Sequence, residues 1–157
     1  MSFGAGYLTP REVEIWQLRR LGFKQIDIAE KLGIHRQGVN RSIHSIDSKI
    51  GQALSEASVI HKLDVWGTDL DQGIIEAYSQ ALGVPAIISF TESNGVQVWY
   101  MYKGNCSQCN RVSQCRALLL KEAEERGIIL TINDLEELPS IIARKIFSRY
   151  SKILEIE

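Results

Sequence analysis

Apolar and polar residues follow two different periods along this chain. After Leu8-Thr9-Pro10-Arg11-Glu12, the residues Val13, Trp16, Leu18 and Leu21 recur at roughly helical spacing until Gly22. Thr9 is placed to cap this first helix, Pro10 suits its first position, and Glu12 stands where a capping box needs it. A second short amphipathic helix is predicted over Phe23–Leu32, with Ile26, Ile28, Ala29 and Leu32 apolar and Gly33 placed just past its end. The segment from His35 to Arg41 then surrounds one apolar residue, Val39, with polar and basic side chains, which predicts a third helix with a single buried stripe. That stripe continues through Ile43, Ile46, Ile50, Ala53, Ala57 and Ile60 at steps of four and three, the seam of a two-stranded coiled coil. Gly51 is a point where the helix could kink or end, and the small Ala53 and Ala57 could equally pack on the rest of the same chain.

The second half mixes periods. A helix is expected from Asp69 or Asp71 through Ile74, Ile75, Tyr78 and Leu82, stopping at Gly83 before Pro85. Val84–Thr91 and Val96–Lys103 are β-rich runs joined by Glu92-Ser93-Asn94-Gly95, a hairpin signal. Trp99, Tyr100 and Tyr102 fall in its second strand, where aromatics usually serve cross-strand packing. Residues 116–126 predict a helix ending at Gly127, Ile128–Thr131 a short strand, and Asn133–Leu154 an amphipathic helix interrupted or restarted at Pro139.

Composition narrows the function. The chain has 157 residues, 45% of them hydrophobic, and a net charge of -1. Its longest apolar runs fall well short of the roughly 18 residues of a membrane helix. The opening Met-Ser-Phe-Gly-Ala-Gly-Tyr has neither the basic start nor the apolar run of a secretory signal, so a cytoplasmic protein is expected. Residues 1–61 carry eight Lys/Arg against six Asp/Glu, while 62–157 carry ten against thirteen. The halves are therefore expected to do different work, and the basic front half is a weak pointer to nucleic acid. An odd cysteine count in a chain without an export signal turns attention from disulfides to metal, cluster or redox chemistry.

The opening Leu8-Thr9-Pro10-Arg11-Glu12, the Ile26-Asp27-Ile28-Ala29-Glu30-Lys31-Leu32-Gly33 turn and Val39 together resemble the helix-turn-helix of LuxR-type regulators and sigma-factor region four. The resemblance covers about 45 residues. A short module of this kind followed by a longer tail is also similar to archaeal Tfx-like DNA-binding proteins. A three-helix fold without DNA contact is the plainer alternative. The resemblance implies double-stranded DNA as partner, read by His35, Arg36, Gln37, Asn40, Arg41 and His44 on the third helix. Arg suits guanine, and Gln or Asn suits adenine. Lys24, Lys31 and Lys49 are expected at phosphates, with Thr9 and Arg11 at a helix N-terminus able to reach the backbone. If the seam pairs two chains, a homodimer on a near-palindromic site follows.

All three cysteines lie in one array, Cys106-x2-Cys109-x5-Cys115, in a loop leading into a helix. Two thiolates so spaced can share a metal centre, and a helix N-terminus with Arg111 and Arg116 nearby would favour the thiolate form. The array resembles the three-cysteine part of 4Fe-4S sites in Fnr-type and WhiB-like regulators, each of which adds a distant fourth cysteine that this chain lacks. Zinc is the alternative, although structural zinc usually takes two separated ligand pairs; a thiol switch is a further one. His61, Asp64, Asp69, a small molecule or a partner subunit are candidates for the fourth position.

These readings combine into an α+β chain: a helix-turn-helix domain over 1–50, a linking or dimerisation helix over 51–62, and an α+β cysteine-containing sensor domain with a β-hairpin and helices over 63–157. The expected function is a non-enzymatic transcription regulator that senses redox state or oxygen through an iron-sulfur cluster. A regulator with structural zinc or a thiol switch, and a small redox enzyme or electron carrier, are its rivals. No phosphate loop, dinucleotide fingerprint or catalytic His/Asp/Ser set supports the last.

Overall fold

In the computed structural model, which describes residues 8–101 and 105–151, the capping signals act where the pattern places them. Helix α1 (Pro10–Arg20) opens on a capping box: Glu12 N donates to Thr9 Oγ1 at 3.3 Å and Thr9 N to Glu12 Oε1 at 3.0 Å. Helix α2 (Gln25–Leu32) begins two residues later than expected and ends at Gly33, whose φ of +64° is the left-handed conformation that glycine adopts without cost. Helix α3 (Arg36–Ile60) then runs for 25 residues, straight through Gly51.

Four strands follow: β1 (Leu63–Asp69), β2 (Ile74–Ser79), β3 (Val84–Thr91) and β4 (Gly95–Tyr100), paired antiparallel in sequence order. The β3–β4 hairpin is the one expected; its second run was expected to reach Lys103, but Tyr102 and Lys103 lie outside the described residues. The helix expected over 69–82 is instead a turn, a strand and a second turn. Its apolar residues divide between two faces, with Ile75 and Ala77 on one side of the sheet and Ile74 on the other. A helical spacing count cannot see that division. All three turns use one device. Asp69 Oδ1, Ser79 Oγ and Thr91 Oγ1 each accept from the amide three residues on, at 3.2, 3.2 and 3.1 Å. A left-handed glycine, Gly73, Gly83 or Gly95, follows one residue later.

After the cysteine segment, with one 3-10 turn at Cys106–Gln108, come α4 (Val112–Glu125), α5 (Ile132–Glu136) and α6 (Pro139–Phe147). The strand expected over 128–131 does not form. Gly127 turns the chain back so that Ile128 N donates to Ala123 O at 2.8 Å, and Thr131 becomes the cap of α5. The tail is divided at Pro139 as expected, but α6 ends at Phe147 and residues 148–151 do not continue the helix expected to Leu154; residues 152–154 lie outside the described residues. Among those described, no helix is long and apolar enough to cross a membrane.

The mixed α and β architecture is layered. One face of the sheet, through Leu63, Ile75, Ala77, Ala86, Ile88 and Phe90, shares a core with Trp16, Ile28, Val39, Ile46 and Ile50 of α1–α3. The opposite face, through Ile74, Ile87 and Met101, packs on Leu119, Ala123, Ile142, Ile146 and Phe147 of α4 and α6. The α3 seam is therefore filled from within its own chain: Val39, Ile43, Ile46, Ile50 and Ala53 are buried, and only its last member, Ile60, is exposed, at 75%. This corrects the coiled-coil reading, because a seam lying on α1, α2 and the sheet of its own chain is not offered to a partner helix. The expected 50/51 boundary falls inside α3, and one hydrophobic core runs across it.

The three layers meet at Asp71-Gln72-Gly73. Arg19, which bridges to Asp47 of α3 at 2.6 Å, also pairs with Asp71. Gln72 O accepts from the fully buried side chain of Arg126, the residue just past α4, at 2.7 Å, and Arg126 also pairs with Glu122 at 2.9 Å. Gly73 lies against Trp16, which is itself fully buried and 5.1 Å from the Phe90 ring. At φ +65°, a Cβ on Gly73 would stand 3.0 Å from both Phe90 O and Trp16 Cζ2. Gly73→Ala is therefore expected to cost about 2–4 kcal/mol, the left-handed strain plus the overpacking. Chemical denaturation measures it. Because the contact joins α1 to the sheet, tryptophan fluorescence and circular dichroism should follow one shared transition.

Candidate functional site

The exposed side of the α2–α3 pair carries the residues singled out for DNA. His35, Arg36, Gln37, Asn40, Arg41 and His44 are all exposed, while Val39, Ile43 and Ile46 between them are buried. A helix that buries one stripe must present the residues between its repeats on the other side. Arg36, Gln37, Asn40 and Arg41 line a shallow cleft with Gln25 from the first turn of α2, and no carboxylate lines it. Gln25 Nε2 donates to Asn40 Oδ1 at 3.4 Å, tying the two helices at their polar edge. Gln25 escaped the sequence reading because its importance lies in crossing to α3, which no local spacing reveals. His44 lies one turn further along α3 and does not line the cleft.

The supporting cations divide. Lys24 and Lys31 are exposed, Lys31 with its ammonium 4.8 Å over the Phe23 ring. Lys49, expected at a phosphate, is instead bound 2.6 Å from the buried carboxylate of Glu12. Thr9 is engaged in its own capping box, and Arg11 pairs along α1 with Glu14 at 3.2 Å. Glu12 also accepts from Ser45 of α3 at 2.9 Å, so one carboxylate caps α1 and anchors it on the long helix.

The cysteines lie on the opposite face of the sheet. Cys106 opens the 3-10 turn, Cys109 follows it, and Cys115 sits in the first turn of α4. Together they line a cavity of about 350 Å³ between β4, α4 and α6, walled by Trp99, Met101 and Leu119. Arg111 and Arg144 line it too, and no carboxylate or histidine does. Arg144 reaches it from α6 and could not be placed from spacing. All three cysteines are free. Among the described residues no group of three or more His, Cys, Asp or Glu is gathered as a metal site.

Burial pushes the Cys115 thiol up, against the pull of Arg111, with Cys109 and Cys106 adding to the rise. The expected activation by the helix start and two arginines is thus outweighed at Cys115. Arg116 is directed elsewhere, donating to Glu137 O at 3.0 Å. The candidates for a fourth ligand are also elsewhere. His61 Nδ1 is hydrogen-bonded to Tyr100 OH at 3.1 Å, and Tyr100 packs on the α3 side of the sheet. Asp64 accepts from Gln80 at 2.9 Å on edge strand β1, and Asp69 caps the β1–β2 turn. None of the three lines the cysteine cavity.

No protein-family model, curated protein or solved structure matches this chain. The geometry alone bears on function.

Glu12 connects that geometry to pH. Burial alone would raise its pKa, but hydrogen bonds from Lys49, the Thr9 amide, Ser45 and the Thr9 hydroxyl bring it down from 4.5 to about 2. A carboxylate with a lowered folded pKa stabilises above its unfolded value, and that stability is lost as pH falls through the folded one. Denaturation midpoints should therefore drop between pH 4.5 and about 2. The drop should be smaller in Glu12→Gln, which is less stable at neutral pH by about 1–3 kcal/mol. Asp134, lowered likewise to about 2 by Lys145 and the α5 cap, is unchanged in both proteins, so the comparison isolates Glu12.

Proposed function

We propose that this chain is a transcription regulator whose α2–α3 pair is a helix-turn-helix that reads double-stranded DNA and whose cysteine cavity is a redox- or oxygen-responsive site. The observation that carries the DNA reading is the acid-free cleft formed by Gln25, Arg36, Gln37, Asn40 and Arg41 on the exposed side of α3. Arg36 and Arg41 supply bidentate donors for guanine, Gln37 and Asn40 suit adenine, and the α2 start with Lys24 suits phosphate. His35 and His44 flank this set. The protein acts by binding rather than catalysis, in the cytoplasm where DNA is reached. Two chains on a palindromic site would meet through a surface other than the α3 seam.

The donor set of the cavity fits an iron-sulfur cluster in kind: three soft thiols, two guanidinium groups to offset negative charge, and apolar walls that limit water. Cys106, Cys109 and Cys115 would hold it, and its chemistry would be a change of charge or integrity with oxidation. The cavity lining offers no histidine or carboxylate as a further ligand. Holding one centre requires the Cys106–Cys109 segment to close on Cys115, which alters the packing of α4 on the sheet. The other face of that sheet shares its core with α3. A shift on the cysteine side thus biases the population of α3 arrangements that fit DNA.

Fluorescence anisotropy at low salt tests the DNA reading. The protein should bind duplex DNA with affinity falling as salt rises. Arg41→Ala should weaken a selected site by about 1–3 kcal/mol. Absence of binding at low salt would sink it. Anaerobic purification with absorbance, iron, sulfide and zinc counts tests the cysteine reading. A brown protein that becomes colourless in Cys109→Ser, with loss of the oxidant response in DNA affinity, is the expected result. Stoichiometric zinc without iron would reduce the cavity to a structural support.

A further inference from the structure

A second cavity, of about 260 Å³, lies where α1, the β1–β2 turn and α4 meet, lined among others by Gln17, Arg20, Gln72, Glu125, Arg126 and Tyr150. Its two arginines are in opposite condition. Arg126 is fully engaged: it donates to Glu122, to Gln72 O and to Phe90 O, and its guanidinium lies 5.1 Å over the Tyr150 ring. Arg20 stacks on Trp16 at 4.5 Å, yet both of its terminal nitrogens are buried and, among the described residues, donate to nothing.

Glu125, on the same cavity wall, mirrors it. One of its oxygens accepts from Glu92 N at 2.9 Å, while the other is buried and accepts from nothing among the described residues. Burial, then the neighbouring Arg126, lower the Arg20 guanidinium to about 10, so it still carries its charge at neutral pH. A buried charge without a hydrogen-bonded partner is costly, and buried polar groups in folded proteins are nearly always satisfied. One cavity thus holds unused donors on a cation and an unused acceptor on a carboxylate, with no ion pair between them.

We propose that this cavity binds a small zwitterion of α-amino-acid size, its carboxylate received by Arg20 and its ammonium by Glu125. A simple anion would meet Arg20 but also face Glu125 and Glu124, which lines the same cavity. A simple cation would meet Glu125 and face two guanidinium groups. A molecule carrying both charges satisfies both walls, and the volume admits an amino acid but not a nucleotide. The site touches α1 on one side and the end of α4 on the other, so a bound ligand ties α1, which shares its core with the helices proposed for DNA, to the helix of the cysteine layer. The binding proposal does not depend on what the cysteines hold.

The test is isothermal titration of the full chain with each of the twenty common amino acids. For any that binds, the matching des-amino acid and decarboxylated amine are titrated as well. Saturable binding at one site per chain is expected, weakened at least tenfold for both truncated analogues. It should be weakened equally in Arg20→Gln and Glu125→Gln, with folding checked by circular dichroism. Leu21→Trp, at the exposed rim, leaves both charges in place and should block entry, so the test survives if the Arg20 variant fails to fold. Cys109→Ser should bind normally. The proposal is overturned by no binding from any amino acid, by a des-amino acid binding as tightly as its parent, or by wild-type affinity in the folded variants.

Discussion

The three-residue turn Asp71-Gln72-Gly73 is the junction on which the arrangement of layers depends. It takes an ion pair from Arg19 of α1, gives a carbonyl to Arg126 at the end of α4, and lets Trp16 of α1 approach the sheet where no side chain would fit. Two of these contacts come from α1 and one from the end of α4, so the turn joins the helices on either side of the sheet. The turn can serve all of them because glycine supplies the left-handed conformation and leaves the space a Cβ would fill. Two buried charges near it are tolerated because they are paired: Arg126 with Glu122 inside, and Glu12 with Lys49 and Ser45 under the start of α1.

The sheet is thereby a wall shared by two sets of helices. On one side it completes the core beneath α3, and on the other it forms the floor of the cysteine cavity. Packed cores respond to a shift on one face by moving as units rather than deforming gradually. This gives the proposed regulator a physical route from thiols to the exposed polar face of α3. The amino-acid-sized cavity lies beside that wall, lined by residues of α1, the β1–β2 turn and the end of α4.

Much of the local structure was legible in the residues. The Thr9–Glu12 capping box, the left-handed Gly33, the Asn94-Gly95 hairpin and the Pro139 restart are interactions within about four residues, and they formed as read. The turn signals at Asp69-x3-Gly73 and Ser79-x3-Gly83 were equally present. A helical spacing through Ile74, Ile75 and Tyr78 competes with them, because a strand buried on both faces has no alternation to betray it. The same Asp/Ser/Thr-x3-Gly signal recurs at Thr91–Gly95, so one local pattern marks all three hairpins.

What the sequence determined by itself was which faces had to be hidden and where the chain had to turn, since periodicity, caps and glycine conformation are properties of neighbouring residues. What only the tertiary structure decided was what each face hides against. The α3 seam had the spacing of a coiled coil, yet α1, α2 and the sheet of its own chain cover it. Lys49 had the look of a phosphate contact, yet it neutralises a buried glutamate. Arg20, Glu125 and Tyr150 gave no motif at all. A hydrophobic stripe and a charge specify the need for a partner, while the identity of that partner depends on contacts between residues far apart in the chain.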